Sequence, residues 1–131
     1  MLSTDAAGQT SCGGFMTGQV CLVTATSVTM SMHSNVTYEW NNANGAAVTQ
    51  TIPTSLTCGG SLATNGFTFT VKDETGTAGT YPITVVPAGS DTIDQTDNAT
   101  KPFVLNANFE SITFQCDGAP TSGIPGNWLV E

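Results

Sequence analysis

The stretch "NGFTFTVKDETGTAGTYPITVVP", residues 65–87, decides how the chain folds. Phe67, Phe69 and Val71 alternate with Thr68 and Thr70, and Tyr81, Ile83 and Val85 alternate with Pro82 and Thr84. Period-2 alternation puts one set of side chains on a buried face and the other toward solvent. Asp73, Glu74, Gly76 and Gly79 lie between the two runs, where glycine lets the chain reverse. The stretch therefore reads as a β-hairpin, and the "AGSDTID" that follows as an exit turn.

Outward from it, the same period recurs. "VCLVTA" (20–25) reads as a short buried strand, and "SVTMSMHS" (27–34) alternates through Val28, Met30 and Met32. "NVTYEW" (35–40) alternates through Val36, Tyr38 and Trp40, and "AAVTQTIP" (46–53) through Val48 and Ile52. "KPFVLN" (101–106) is short and mixed, "ESITFQC" (110–116) alternates through Ile112, Phe114 and Cys116, and "NWLVE" (127–131) ends the chain. Asn-Gly pairs at 44–45 and 65–66 mark turns. About nine short strands with turns between them, and no apolar stripe at helical spacing, make the chain all-β. The expected architecture is an antiparallel β-sandwich spanning residues 20–131. Residues 1–19 are rich in Gly, Ser, Thr and Gln without a period, and read as an extended N-terminal arm.

Composition narrows the function. The 131 residues hold ten carboxylates against Lys72 and Lys101, with no arginine, for a net charge of −8. Nucleic-acid binding needs cations that displace counterions from phosphates, so it is disfavoured, as are anionic membrane surfaces. Charged residues are 9% of the chain, against roughly 25% in ordinary soluble domains, and Thr, Ser, Asn and Gly take their place. That habit suits extracellular and virion β-proteins. Cys12, Cys21, Cys58 and Cys116 form no CxxC pair, and their spacing fits either two disulfides or four buried thiols. The opening "MLSTDAAGQTSCGG" lacks a basic and an apolar leader segment, and no run approaches the roughly twenty apolar residues of a membrane span. The expectation is a protein used without a secretory signal.

The residues offer little for catalysis. The single histidine, His33, sits among Ser and Met without a nucleophile motif. Asp73–Glu74 and the trio Asp91, Asp94 and Asp97 fall in turns, where aspartate is common. Neither loop follows the calcium-loop pattern of alternate acids closed by a glutamate, although the trio suits a loose calcium site. "TGTAGT" lacks the Gly-Lys-Ser/Thr ending of a phosphate loop. Tyr38, Trp40 and Trp128 could stack on a sugar, but their strand parity favours core packing. Asn35 and Asn98 match the Asn-x-Thr sequon, which a chain this rich in Asn and Thr meets by chance. No enzyme, cofactor or metal follows from these residues.

From residue 41 onward the order of motifs is distinctive. "NNANGAAVTQTIP", the 65–94 stretch, "PFVLNANFESITFQCDG" and "GNWLVE" occur in series. Together they resemble a β-domain of tailed-bacteriophage structural proteins, found in head decoration and head-fibre proteins and at tail-fibre and needle tips. The matching residues are Asn65-Gly66, Lys72-Asp73, Gly76, Ala78-Gly79, Pro82-Ile83-Thr84, Thr92-Ile93-Asp94, Ser111-Ile112-Thr113, Asp117-Gly118 and Asn127-Trp128. Gln95, the insertion "APTSGIPG" and Cys58 in the loop depart from the pattern. The resemblance implies a jelly-roll-like knob, a homotrimer, with no enzymatic role. It points to a capsid decoration (cement) protein or short head fibre, assembled in the host cytoplasm and lying on the outer capsid surface of the virion. The arm, through Leu2, Phe15 and Met16, would contact the major capsid protein. The alternative is a receptor-binding tip, with loops 54–63 and 117–126 reading a host glycan or protein; a third is a disulfide-bonded adhesin.

Overall fold

A computed structural model describes residues 20–29, 35–42, 45–94, 102–118 and 126–131. The arm with Leu2, Phe15 and Met16, and also His33, Asp97 and Asn98, lie outside the described residues. Among the described residues ten strands form two sheets, and the only helical element is a 3₁₀ turn, Thr54–Leu56. The larger sheet holds β1 (Val20–Val23), β3 (Val36–Trp40), β5 (Thr68–Asp73), β9 (Ser111–Cys116), β10 (Asn127–Val130) and β7 (Thr92–Ile93), in that order. The smaller holds β2 (Ser27–Thr29), β4 (Val48–Thr51), β6 (Ile83–Val86) and β8 (Phe103–Leu105). The all-β, two-sheet expectation holds.

Two expectations need correction. Residues 65–87 are not a hairpin, because β5 and β6 lie in different sheets. Nor is the sandwich antiparallel: β1, β3 and β5 run parallel, as do β2, β4 and β6. The cause is the way the chain alternates between sheets. Each strand of the first six is followed by one in the opposite sheet, so every return to a sheet runs in the same direction. The opposite strand serves as the crossover that parallel pairing demands, a role usually taken by a helix. Three turns of a flattened coil result. The chain then reverses: β8 pairs antiparallel to β6 and β9 antiparallel to β5. β10 follows antiparallel to β9, and β7 lies outside it, parallel.

The predicted faces are the buried ones where the residues are described, with Tyr81 and Ile112 only half-buried and Met30 and Met32 outside the described residues. Val36, Tyr38, Trp40, Phe69, Val71, Val85, Phe114 and Cys116 are all essentially inaccessible. Phe69 stacks on Phe114 with centroids 4.8 Å apart, and Tyr38 and Trp128 meet Phe69 edge-on. Edge-to-face and offset contacts suit the ring quadrupole, and each contributes about 0.5–1.5 kcal/mol beyond burial. The Trp40 indole donates across the core to Gln50 Oε1 at 2.9 Å, which satisfies a buried N–H and ties β3 to β4. β10 and β7 extend the larger sheet past the smaller one, and Trp128 packs there on Phe67 from the 52–67 connection.

The cysteines resolve in favour of disulfides. Cys58 and Cys116 are bonded, which ties the 52–67 connection to the end of β9. Cys21 is disulfide-bonded as well, to a partner outside the described residues.

Candidate functional site

The aromatic candidates for sugar stacking are core residues: Tyr38, Trp40 and Trp128 are at most 1% exposed. The acidic candidates are structural too, and they divide between the two ends of the sheets.

At one end, Asp91 is fully buried. Its Oδ2 accepts the Cys58 N–H at 2.7 Å and the Trp128 indole N–H at 3.2 Å. Burial pushes the Asp91 carboxyl above its ordinary value, while those two donors and the Gly126 backbone pull it back and Asp117 adds repulsion. Asp94 turns the other way and accepts the Val130 N–H at 3.0 Å. Thr92 Oγ1 donates to Asn127 Oδ1, and the Asn127 N–H reaches Asp117 Oδ1 at 3.4 Å. Gly126 presses so closely on the Cys58 carbonyl that an added Cβ would lie 2.2 Å from its oxygen. Asp91 and Asp94 thus hold strands; Asp97, the third of the trio, lies outside the described residues, and among the described residues no three metal-ligating side chains converge.

At the other end, Asp73 finishes β5 and organises two loops. Its Oδ1 accepts the Gly76 N–H at 3.1 Å and the Thr75 hydroxyl at 3.3 Å. Its Oδ2 accepts the Ala78 N–H at 2.9 Å and, from the 106–110 loop, the Phe109 N–H at 3.0 Å. Asn108 Oδ1 answers by accepting the Gly79 N–H at 2.8 Å. Glu110 Oε2 accepts the N–H groups of Asn106 and Ala107. This is why the chain carries Lys-Asp, Gly76 and Ala-Gly in that order: Lys72 donates to the Phe109 carbonyl, Asp73 accepts from Gly76 and Ala78, and the two glycines make room for Phe109 and Asn108 of the facing loop.

Phe109 is the residue that sequence analysis missed. It is 61% exposed, the highest value among the large hydrophobic residues described. Its φ is +62°, which a bulky residue rarely adopts. The Lys72 ammonium donates to its carbonyl at 2.6 Å and stands 5.8 Å from the ring centroid. The ring lies on Gly76, where an added Cβ would be 2.3 Å from its Cζ. Its covered part is roughly 80 Å², worth about 2 kcal/mol. The left-handed backbone costs about 1–3 kcal/mol. Against glycine the two nearly cancel, and against any other side chain on the same backbone the ring contributes only about 2 kcal/mol while leaving most of its surface in solvent. A signal was present in the sequence: Phe109 shares the parity of outward-facing Ser111 and Thr113. The preceding Asn-Ala-Asn turn masked it.

Comparison with protein-family models and with curated proteins returns no match.

Proposed function

We propose that this chain is a bacteriophage virion structural protein, a capsid decoration (cement) protein or short head fibre that binds and stabilises the outer capsid surface. What supports the reading is the use made of the residues that carry the phage-domain resemblance. Lys72-Asp73, Gly76 and Ala78-Gly79 build one interlock with the 106–110 loop. Thr92-Ile93-Asp94, Asp117 and Asn127-Trp128 build the other. A motif set scattered over the chain is thus a set of mutually dependent contacts that fix one rigid, cross-linked body. In the proposal, residues 1–19 reach the major capsid protein through Leu2, Phe15 and Met16. Three copies assemble in a jelly-roll-like knob, covering strand edges that would otherwise invite wrong pairing. Assembly takes place in the host cytoplasm, and no catalytic step is involved.

Cryo-EM of purified virions tests it. Density for the protein at capsid symmetry positions supports the reading, and its absence from the shell removes it. Deleting residues 2–17 should leave the β-domain folded and abolish particle binding; retained binding would move the attachment surface to the β-domain.

A second reading, a receptor-binding tail-fibre or needle tip, is favoured by one observation: Phe109 is held rigid yet faces solvent. Density confined to a unique tail vertex would select it.

A further inference from the structure

We infer that Phe109 is the stacking platform of a carbohydrate subsite that takes a neutral glycan. The inference rests on the receptor-recognition reading and names the place and the ligand class that it leaves open.

A sugar ring presents C–H groups on one face and hydroxyls around its rim. Its complement is an exposed aromatic face, with hydrogen-bonding groups beside it. Phe109 supplies the face. Gly76 beds the ring from below, and most of the residue is open to solvent. Its backbone is pinned at both polar atoms, the N–H by Asp73 Oδ2 and the carbonyl by the Lys72 ammonium. A platform held in this way loses little freedom when a ligand arrives, which lowers the cost of binding.

The rim comes from the same loop. Asn108 commits its Oδ1 to Gly79, which leaves its amide N–H groups for a ligand. Asn106 is exposed beside it, and Glu110 commits Oε2 to the loop backbone. Amides next to an aromatic face match ring hydroxyls, which both donate and accept.

Charge selects among sugars. The chain carries −8, and around the loop the carboxylates of Asp73, Glu74 and Glu110 outnumber the Lys72 ammonium, which stands 5.8 Å from the ring centroid. Anionic sugars are repelled and neutral ones are not. A protein partner is the weaker fit, because among the described residues the other exposed large hydrophobics, Leu62, Val104 and Leu129, lie on elements other than the Phe109 loop.

The test uses the full chain on an array of neutral and acidic bacterial polysaccharides, followed by titration calorimetry with the best neutral glycan. Phe109→Ala should weaken binding about tenfold or more. Phe109→Trp should retain it, since a larger ring keeps the face. Both variants keep the pinned backbone, and thermal melts check that they fold. Binding of no neutral glycan overturns the inference, as does binding that Phe109→Ala leaves unchanged or that is confined to acidic glycans. Loss of particle attachment in Phe109→Ala without any glycan binding would make the ring a protein anchor and also overturn it. The position of the protein on the virion is read separately by imaging, so a failed glycan site and a failed virion reading are told apart.

Discussion

Replacing Asp73 by asparagine tests the loop interlock most directly. Three backbone N–H groups and one hydroxyl converge on its two oxygens. An asparagine has one oxygen. Placed at the Oδ2 position, it keeps the Ala78 and Phe109 N–H groups but faces the Gly76 N–H with an NH₂ group. Placed at Oδ1, it keeps Gly76 and loses the other two. The better arrangement loses one charge-assisted bond, worth about 1.5–3 kcal/mol, and reduces two others to neutral bonds, so the sum is about 3 kcal/mol. For a domain of this size that lowers the melting temperature by about 10 °C. Asp73→Ala strands all three N–H groups and should cost about 4–5 kcal/mol, since the Ala78 N–H is buried and water can reach the others only in part. Glu74→Gln is the control: the side chain is exposed, and its change should stay within about 0.5 kcal/mol. Urea unfolding of the oxidised proteins, followed by tryptophan fluorescence, gives all three numbers. If Asp73→Asn unfolds within about 0.5 kcal/mol of the parent, the carboxylate does not organise these loops.

Other consequences can be measured in the same assay. Removing the Cys58–Cys116 bond by the double change to alanine releases a 58-residue separation, and the loop-entropy relation puts the loss at about 4 kcal/mol; a loss below about 1 kcal/mol would contradict it. Because burial raises Asp91 above 3.8, ionising it opposes folding. Parent stability relative to Asp91→Asn should therefore fall as the pH rises from 3.8 through the raised value, then level off; a difference that grows with pH would reverse the sign argued here. Gly126→Ala should cost more than about 2 kcal/mol, because its Cβ would meet the Cys58 backbone, which Asp91 and the disulfide both restrain. Gly66→Ala meets nothing within 4 Å and should cost only the strain of φ +86°, about 1 kcal/mol; equal losses at the two glycines would refute the contact argument.

Which face of each strand is buried was legible in the sequence, because parity alone determines it. Tyr38, Phe69 and Phe114 are examples. Which strands are neighbours was not legible. Period 2 describes a side chain's face and carries no information on the direction of the next strand, so residues 65–87 fit a hairpin and an inter-sheet arch equally well. Thr92–Ile93 was unreadable as a strand for a different reason: at two residues it has no period, and pairing with β10 makes it one. The disulfide was left open because sequence spacing does not show which cysteines the coil brings together. The acidic loops looked like sites since carboxylates that accept backbone N–H groups and carboxylates that hold a metal have the same composition.

The disulfides constrain the proposed assembly route. Such bonds persist in oxidising surroundings and are rare in the cytosol, whereas the proposed virion protein meets its capsid in the host cytoplasm. The two are compatible if the reduced chain folds first. Reduction removes about 4 kcal/mol for Cys58–Cys116 and a further contribution for the Cys21 bond, so a domain in the upper part of the typical 5–15 kcal/mol range keeps a folded majority. The aromatic contacts and the Asp73 interlock involve no disulfide, so reduction removes none of them directly. Oxidation after release would then lock the 52–67 connection to β9 on a body already in place. The order of events, fold, attach and then oxidise, requires reduced protein to bind particles as well as oxidised protein does. Attachment that depends on the intact disulfides would instead place maturation in an oxidising compartment, where the capsid reading fails and an adhesin becomes the better account.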